Sequence, residues 1–409
     1  MKPSGPIPPG FEWTGGDLQI AGGPARAWVE RVGDTPCFVY DRRIVDARIA
    51  ALRATHPAGL DLHYAIKANP YAPLLRHVLA KVDGLDVASA GEMRRALEAG
   101  ADAECISFAG PGKRDDDLAE AIAAGITINC ESEGEAERIL RIAGGQGAQA
   151  RVAVRVNPPF ELKGSGMRMG GGAKPFGVDA ERVPALVRAL IDAGADWRGF
   201  HIFAGSQSLD ADALIAAQAN AIALAAELSE AAHAAPPLVN LGGGYGIPYF
   251  AGDAALDLAR VGPALGGALN ARPAVLKDAR FCLELGRLLV GEAGVYLTRV
   301  IDRKVSGGRT FLVTDGGLHH QLAASGNFGQ VIRRNFPNAI ATRCPTGDTE
   351  PATIVGCLCT PLDILADDVA VPLGTGEGDL VAIFLAGAYG LYSSPQGFLS
   401  QHDAREILA

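Results

Sequence analysis

What the chain lacks narrows the field first. It has no basic segment followed by an apolar one at its start, where Met1 to Gly16 is rich in Pro and Gly, so no secretory signal is expected. No uninterrupted apolar run looks long enough to span a bilayer. Seven cysteines, at 37, 105, 130, 282, 344, 357 and 359, show no paired metal-type spacing. That suits a reducing cytoplasm, and no metal is expected. A net charge of -9 speaks against nucleic acid or an anionic membrane as partner. There is no G-x-S-x-G elbow to hold a hydrolase nucleophile, no G-x-x-x-x-G-K-[ST] loop, and no Rossmann fingerprint near the N-terminus.

What is present is organised around Asp61-Leu-His-Tyr-Ala-Ile-Lys67-Ala-Asn-Pro70. Leu62, Tyr64 and Ile66 alternate with His63, Ala65 and Lys67, the period of a two-faced strand, and Asn69-Pro70 ends it. Lys67 therefore stands at the C-terminal mouth of a strand. Such a lysine either snorkels to solvent or, if burial lowers its pKa, forms a Schiff base with an aldehyde cofactor.

Further strand-like runs follow at 86–89, 106–109, 126–131, 152–157, 200–204, 238–241 and 281–285, with 63–69 making eight. Amphipathic stretches lie between them at 90–99, 113–124 and 132–142, the last opened by a Ser132/Glu135 capping box. Strand alternating with helix implies a parallel sheet, and eight strands imply a closed (β/α)8 barrel of α/β class. Cys37 to Tyr40 reads as a strand feeding a helix from Arg42 to Thr55.

Beyond Arg287 the pattern changes to an antiparallel β domain, with helix expected at 322–334 and 403–409. The expected division is an N-terminal arm over 1–38 packing with the β domain, a barrel over 39–290, and the β domain over 291–409.

Barrel enzymes carry their chemistry at the C-terminal strand ends. Here those ends hold Lys67, Asp86, Arg155, Gly205-Ser206-Gln207, Gly242 to Gly246 and Glu284-Leu-Gly-Arg287. The glycine triplet leaves backbone N–H groups free for a phosphate. A carboxylate such as Glu284 keeps a pyridine nitrogen protonated, although Glu284 and Arg287 also have the spacing of an ordinary ion pair. His319 and His320 are adjacent and, on a strand, would face opposite ways, so one metal is not expected between them.

The motifs Tyr64-Ala-Ile-Lys-Ala-Asn69, Asp86-Val-Ala-Ser89, Asn240-Leu-Gly-Gly-Gly244, Glu284-Leu-Gly-Arg287, Cys359 before Asp363, and Gly387-Ala-Tyr389 fall in one order. In this the sequence resembles the barrel-type pyridoxal phosphate decarboxylases, the family of diaminopimelate, ornithine and arginine decarboxylases. The segments 106–113, 164–171 and 315–320 resemble two subgroups: decarboxylases associated with exosortase A systems, and those acting on an aminoacyl group held by an acyl carrier protein.

The resemblance implies pyridoxal 5'-phosphate bound to Lys67 as a Schiff base. It implies that Ser206, Gly243, Gly244 and Tyr389 hold the phosphate, with Gly286 and Arg287 nearby, Glu284 at the pyridine nitrogen, and Asp86 and Arg155 in support. It further implies Cys359 as proton donor, lent across a head-to-tail homodimer with shared active sites, and His319, His320, Thr360 and Asp363 around the substrate.

Three positions depart from the family. Phe203 stands where a histidine normally stacks on the cofactor, Thr360 replaces the acid after the cysteine, and Ala323-Ala324 fall where diaminopimelate decarboxylases carry an arginine. A site lacking readers for a charged distal group disfavours lysine, ornithine and diaminopimelate. The expected activity is decarboxylation of an α-amino acid, or of an aminoacyl group on a carrier protein, to a primary amine. The alternatives are a diaminopimelate-type decarboxylase, a racemase on the same scaffold, and an inactive regulatory homologue.

Overall fold

Strand alternation builds the first of two units, residues 49–247 and 255–286, in the computed structural model of the chain. The structure describes every residue except Lys163, Gly164, Ser165, Met169, Gly329 and Val331. Part of the 164–171 motif and of the expected 322–334 helix therefore lies outside the described residues.

Eight strands run Leu60–Ala65, Gly84–Val87, Ile106–Phe108, Thr127–Cys130, Arg151–Asn157, Asp196–Ile202, Leu238–Asn240 and Arg280–Leu285. Each pairs in parallel with the next, and the eighth returns to the first through Phe281↔Leu60 to Leu285↔Tyr64. The sheet is thus a closed (β/α)8 barrel, as expected.

Helices lie between the strands, and their starts follow local capping chemistry. Ser132 Oγ accepts from Glu135 N at 3.1 Å, while Glu135 Oε2 accepts from Glu131 N at 2.7 Å, one residue earlier than a strict capping box. The helix Ala211–Ala232 is long and apolar enough by length and composition to cross a membrane, but it is broken by polar residues such as Gln218, Asn220 and Glu227, and half of its most apolar window is buried against the protein. It lies beside Val183–Asp192 and Leu258–Asn270 on the barrel's outer layer.

The interior of this barrel is unusually polar. Register pairs in a parallel ladder share a face, which aligns His63 with Glu284, Asp86 with Ser107, and Arg155 with His201 and Asn240. Leu62, Tyr64, Leu85, Ile128, Val154 and Phe200 alternate with them and are buried. Most barrels fill their centre with branched apolar side chains, so polar groups here call for another reason.

The second unit comprises residues 1–48, 248–254 and 287–409. Its organising strand is Gly294–Ser306, which pairs antiparallel with Cys37–Tyr40, Arg309–Thr314 and Leu380–Ile383. The sheet is mostly antiparallel, but two pairings are parallel, Arg309–Thr314 with Thr349–Val355 and Cys37–Tyr40 with Arg405–Leu408. A long excursion between partners is what allows the chain to return in the same direction.

Three differences from the sequence reading follow. The C-terminal segment is a strand, not a helix, because its backbone pairs with the buried strand Cys37–Tyr40. The described part of 322–334 forms turns rather than a helix. The unit boundaries lie at Arg48 and Gly286, and residues 248–254 join the β unit. The half of the Arg42–Thr55 helix that belongs here is tied to it by the Arg48–Glu292 ion pair and by Asp41 N donating to Ala293 O at 2.8 Å.

Candidate active site

Lys67 is set by a short tight turn rather than by the strand itself. The strand ends at Ala65, and Ile66–Ala68 forms a 3-10 turn. Asn69 closes the turn: Tyr64 Oη donates to its carbonyl at 2.8 Å, and its Oδ1 accepts from Tyr71 N at 3.0 Å. Gly286 lets the eighth strand approach this turn, since a Cβ there would lie 2.7 Å from the Ala68 Cβ.

The lysine side chain retains 43% of its accessible surface, so protein atoms alone do not bury it. What it has instead is a carboxylate. Lys67 Nζ lies 3.4 Å from Glu284 Oε1 and 5.7 Å from the centre of the Phe203 ring.

Glu284 is 7% exposed, and its second oxygen lies 2.9 Å from His201 Nε2. Burial pushes its carboxyl upward, but the Lys67 ammonium, His201 and the Arg155 charge outweigh that and hold it well below the usual carboxylate range. Asp86 behaves in the opposite way, raised by burial and then by the charge of Glu284, with His63 opposing. Arg155 Nη1 donates to Glu131 Oε1 at 2.8 Å, and its guanidinium lies 5.1 Å from the centre of the Phe176 ring. Glu131 also accepts from Gly110 N and Gly177 N, which fixes the arginine.

The glycine triplet is shaped by close approach. Asn240 Oδ1 accepts from Gly242 N and Gly242 O accepts from Glu284 N, both at 2.8 Å, which ties the loop to the strand bearing the carboxylate. A Cβ on Gly243 would lie 2.0 Å from the Glu284 carbonyl oxygen. Gly244 has φ +97° and would bring a Cβ within 2.7 Å of Gly205 O. Among the described residues no acceptor takes the N–H groups of Gly243 and Gly244. Gly205–Ser206 follows the neighbouring sixth strand. An anion cradle of free backbone donors, an ionised carboxylate and an adjacent amine together fit a phosphorylated aldehyde with a basic ring nitrogen.

The remaining expected residues lie in the β unit. Arg287 is not paired with Glu284: its Nη1 donates to Tyr249 Oη at 2.7 Å and its guanidinium lies 4.5 Å from the centre of the Tyr389 ring. Cys359 is exposed, and Thr360 follows it in the same turn. Asp363 is buried, and its two oxygens accept from Leu318 N at 2.6 Å and Leu358 N at 2.9 Å. It braces the loop carrying Cys359, with both oxygens committed to backbone.

His319 and His320 lie on a turn, not a strand, with ring centres 3.7 Å apart. The strand argument that they face opposite ways therefore fails. Burial holds both imidazoles down at about 4, with the mutual charge of the pair adding to it at His319. His320 is held structurally by His402 O at 2.8 Å.

A model described as the pyridoxal binding domain of pyridoxal-dependent decarboxylases matches residues 42–291. The chain belongs to this family. It is 36% identical over 381 residues to the L-glutamyl-[BtrI acyl-carrier protein] decarboxylase of Niallia circulans, covering 92% of this chain and 89% of that one. It is 31% identical over 404 residues to the diaminopimelate decarboxylase of Methanothermobacter thermautotrophicus, covering 96% and 90%. Among solved structures, diaminopimelate decarboxylase from Helicobacter pylori complexed with L-lysine aligns with a TM-score of 0.83 at 25% identity over 94% of each chain.

This pyridoxal-dependent decarboxylase uses pyridoxal phosphate, and the residues above fit that group. Two residues that sequence reasoning passed over belong to the same barrel cluster, His201 on Glu284 and His63 on Asp86. Their signal was available: both occupy the inward parity of strands whose other face is apolar.

Proposed function

We propose that this decarboxylase removes the α-carboxylate of an aminoacyl group held on a carrier protein, releasing carbon dioxide and leaving a primary amine. The observation that carries the chemistry is Glu284, an ionised buried carboxylate 3.4 Å from the Lys67 amine. In this reading Lys67 would join the cofactor aldehyde, Gly243, Gly244 and Ser206 would take the phosphate, and Glu284, as a carboxylate, would keep the ring nitrogen protonated. Pyridoxal phosphate, when bound, supplies an electron sink for the pair released as the carboxylate leaves.

The chain does the rest. His201 and Lys67 keep Glu284 charged, Phe203 offers an aromatic face beside Lys67, and Cys359 holds the proton returned to the α-carbon. We place that cysteine across a homodimer with shared sites. The seven cysteines are all free, which agrees with a reducing cytoplasmic setting.

The substrate reading rests on Thr360 in place of a distal acid, on Ala323-Ala324 in place of an arginine, and on the 36% identity to a carrier-protein-linked enzyme. The second reading is decarboxylation of free diaminopimelate, favoured by the 31% identity to diaminopimelate decarboxylases. Carbon dioxide release from glutamyl-carrier protein and from free diaminopimelate, lysine, ornithine and glutamate separates them. Turnover on the carrier-bound substrate alone supports the proposal; equal or faster turnover on a free diamino acid overturns it.

A further inference from the structure

His63 has no part in the chemistry described so far, yet it is 7% exposed and sits inside the barrel in register with Glu284. Its Nδ1 lies 3.4 Å from Asp86 Oδ2, which is ion-pair distance without the alignment of a hydrogen bond. Space for the ring is provided on purpose. A Cβ on Gly84, its partner on the second strand, would lie 2.7 Å from His63 Nε2.

Asp86 and Glu284 share one desolvated interior, where two carboxylates repel and one takes up a proton unless each has a cation. Lys67 and His201 stand against Glu284. His63 is the ion-pair partner of Asp86.

We propose that His63 is a positioning residue for Glu284: as an imidazolium it cancels the charge of Asp86, so that Asp86 adds no net negative charge beside the cofactor-facing carboxylate. Without it, Asp86, the carboxyl that burial and the charge of Glu284 already raise, would titrate without its cation, and the charge beside Glu284 would change with pH. The inference rests on the cofactor reading of Glu284.

The proton has a route. A cavity of about 130 Å³, lined by His63, Asp61, Ser107, Thr127, Asn129 and Asn240, lies toward the N-terminal ends of the strands. Its carboxylate, hydroxyl and amide side chains can hold water, and it has room for several molecules, so His63 can exchange protons from the face opposite Lys67.

The groups that set the charge of His63 come from three strands. Asp61 lies on its own strand, Asp86 on the second, and Glu284 on the eighth. Asp83, Glu104, Arg198 and Arg280 line the outer part of the cavity. Burial opposes the imidazolium, and the pairing with Asp86 outweighs it, so the histidine is raised.

The test uses full-length protein labelled with 15N-histidine, with and without pyridoxal phosphate, and the His63 ring assigned through its contacts with Gly84. The expected result is an imidazolium that persists above the ordinary histidine value of about 6.5 and, in Asp86→Asn, falls by about one pH unit or more, tenfold in proton affinity. A neutral His63 at that pH in the unaltered chain, or a titration unmoved by Asp86→Asn, overturns the proposal.

In the loaded protein, His63→Asn is expected to introduce a pH-dependent step in the visible cofactor band, removed again by adding Asp86→Asn. A histidine that only fills space would lower the melting temperature and leave that band's pH profile unchanged, which also overturns the proposal. Failure to bind cofactor at all refutes the reading of Glu284 instead, and the histidine titration still reports on His63.

Discussion

Acidification tests whether His319 and His320 are a buried structural pair or readers of a charged substrate. Both rings are held neutral, near 4, by burial, whereas an unfolded histidine titrates near about 6.5. Between those values the unfolded chain binds protons that the folded chain refuses, so stability falls as pH falls through the window. At pH of about 5.5 each ring forfeits ~1.4 kcal/mol and the pair ~3 kcal/mol, against almost nothing at pH of about 7.5.

For a unit of this size, that corresponds to a melting temperature lower by roughly 6–12 °C. The assay is thermal unfolding of the full chain at both pH values, beside the double variant His319→Gln/His320→Gln. Other groups contribute to the slope in both proteins, so the difference between the slopes isolates the pair. The variant is expected to melt lower at neutral pH but to lose most of the pH dependence. Equal slopes in the two proteins would show that the rings titrate normally, and the buried-pair description would fall.

Gly243→Ala places a Cβ where the Glu284 carbonyl oxygen already lies 2.0 Å away, so the loop must shift. Cofactor affinity measured by titration is expected to drop about tenfold or more, the scale of one charge-assisted hydrogen bond of ~1.5 kcal/mol; undiminished binding would remove the triplet from the phosphate site. Cys359→Ala is expected to slow turnover by about 100-fold or to release wrongly protonated product while the cofactor stays bound; unchanged kcat would strip the thiol of its role. Asp363→Asn keeps the size of the side chain but removes an acceptor from Leu318 N or Leu358 N. A loss of ~1–3 kcal/mol in stability is expected, read by denaturant unfolding, and an unaffected midpoint would contradict the bracing role.

The barrel was legible because its strands have an apolar outer parity, seen in Leu62 and Tyr64 or in Val152 and Val154, punctuated by helices with Ser caps such as Ser89 and Ser132. Lys67, Glu284 and the glycine triplet were legible because each departs from what a strand end needs for stability alone.

What escaped was set by contacts distant in sequence. Arg405–Leu408 has the composition of a helix, yet pairing with Cys37–Tyr40 makes it a strand. Pro248–Ala254 carries no signal of its own, but Tyr249 is bonded to Arg287 and lies against Phe336. His201 and His63 lay in plain view at inward positions, and only the closed barrel turns inward parity into contact with Glu284 and Asp86.

The central claim is that the Lys67 amine carries the cofactor. Borohydride reduction of the yellow, cofactor-loaded protein followed by peptide mass mapping tests it directly. The reduced cofactor's mass is expected on the peptide containing Lys67 and nowhere else; finding it on another lysine, or on none, would contradict the account.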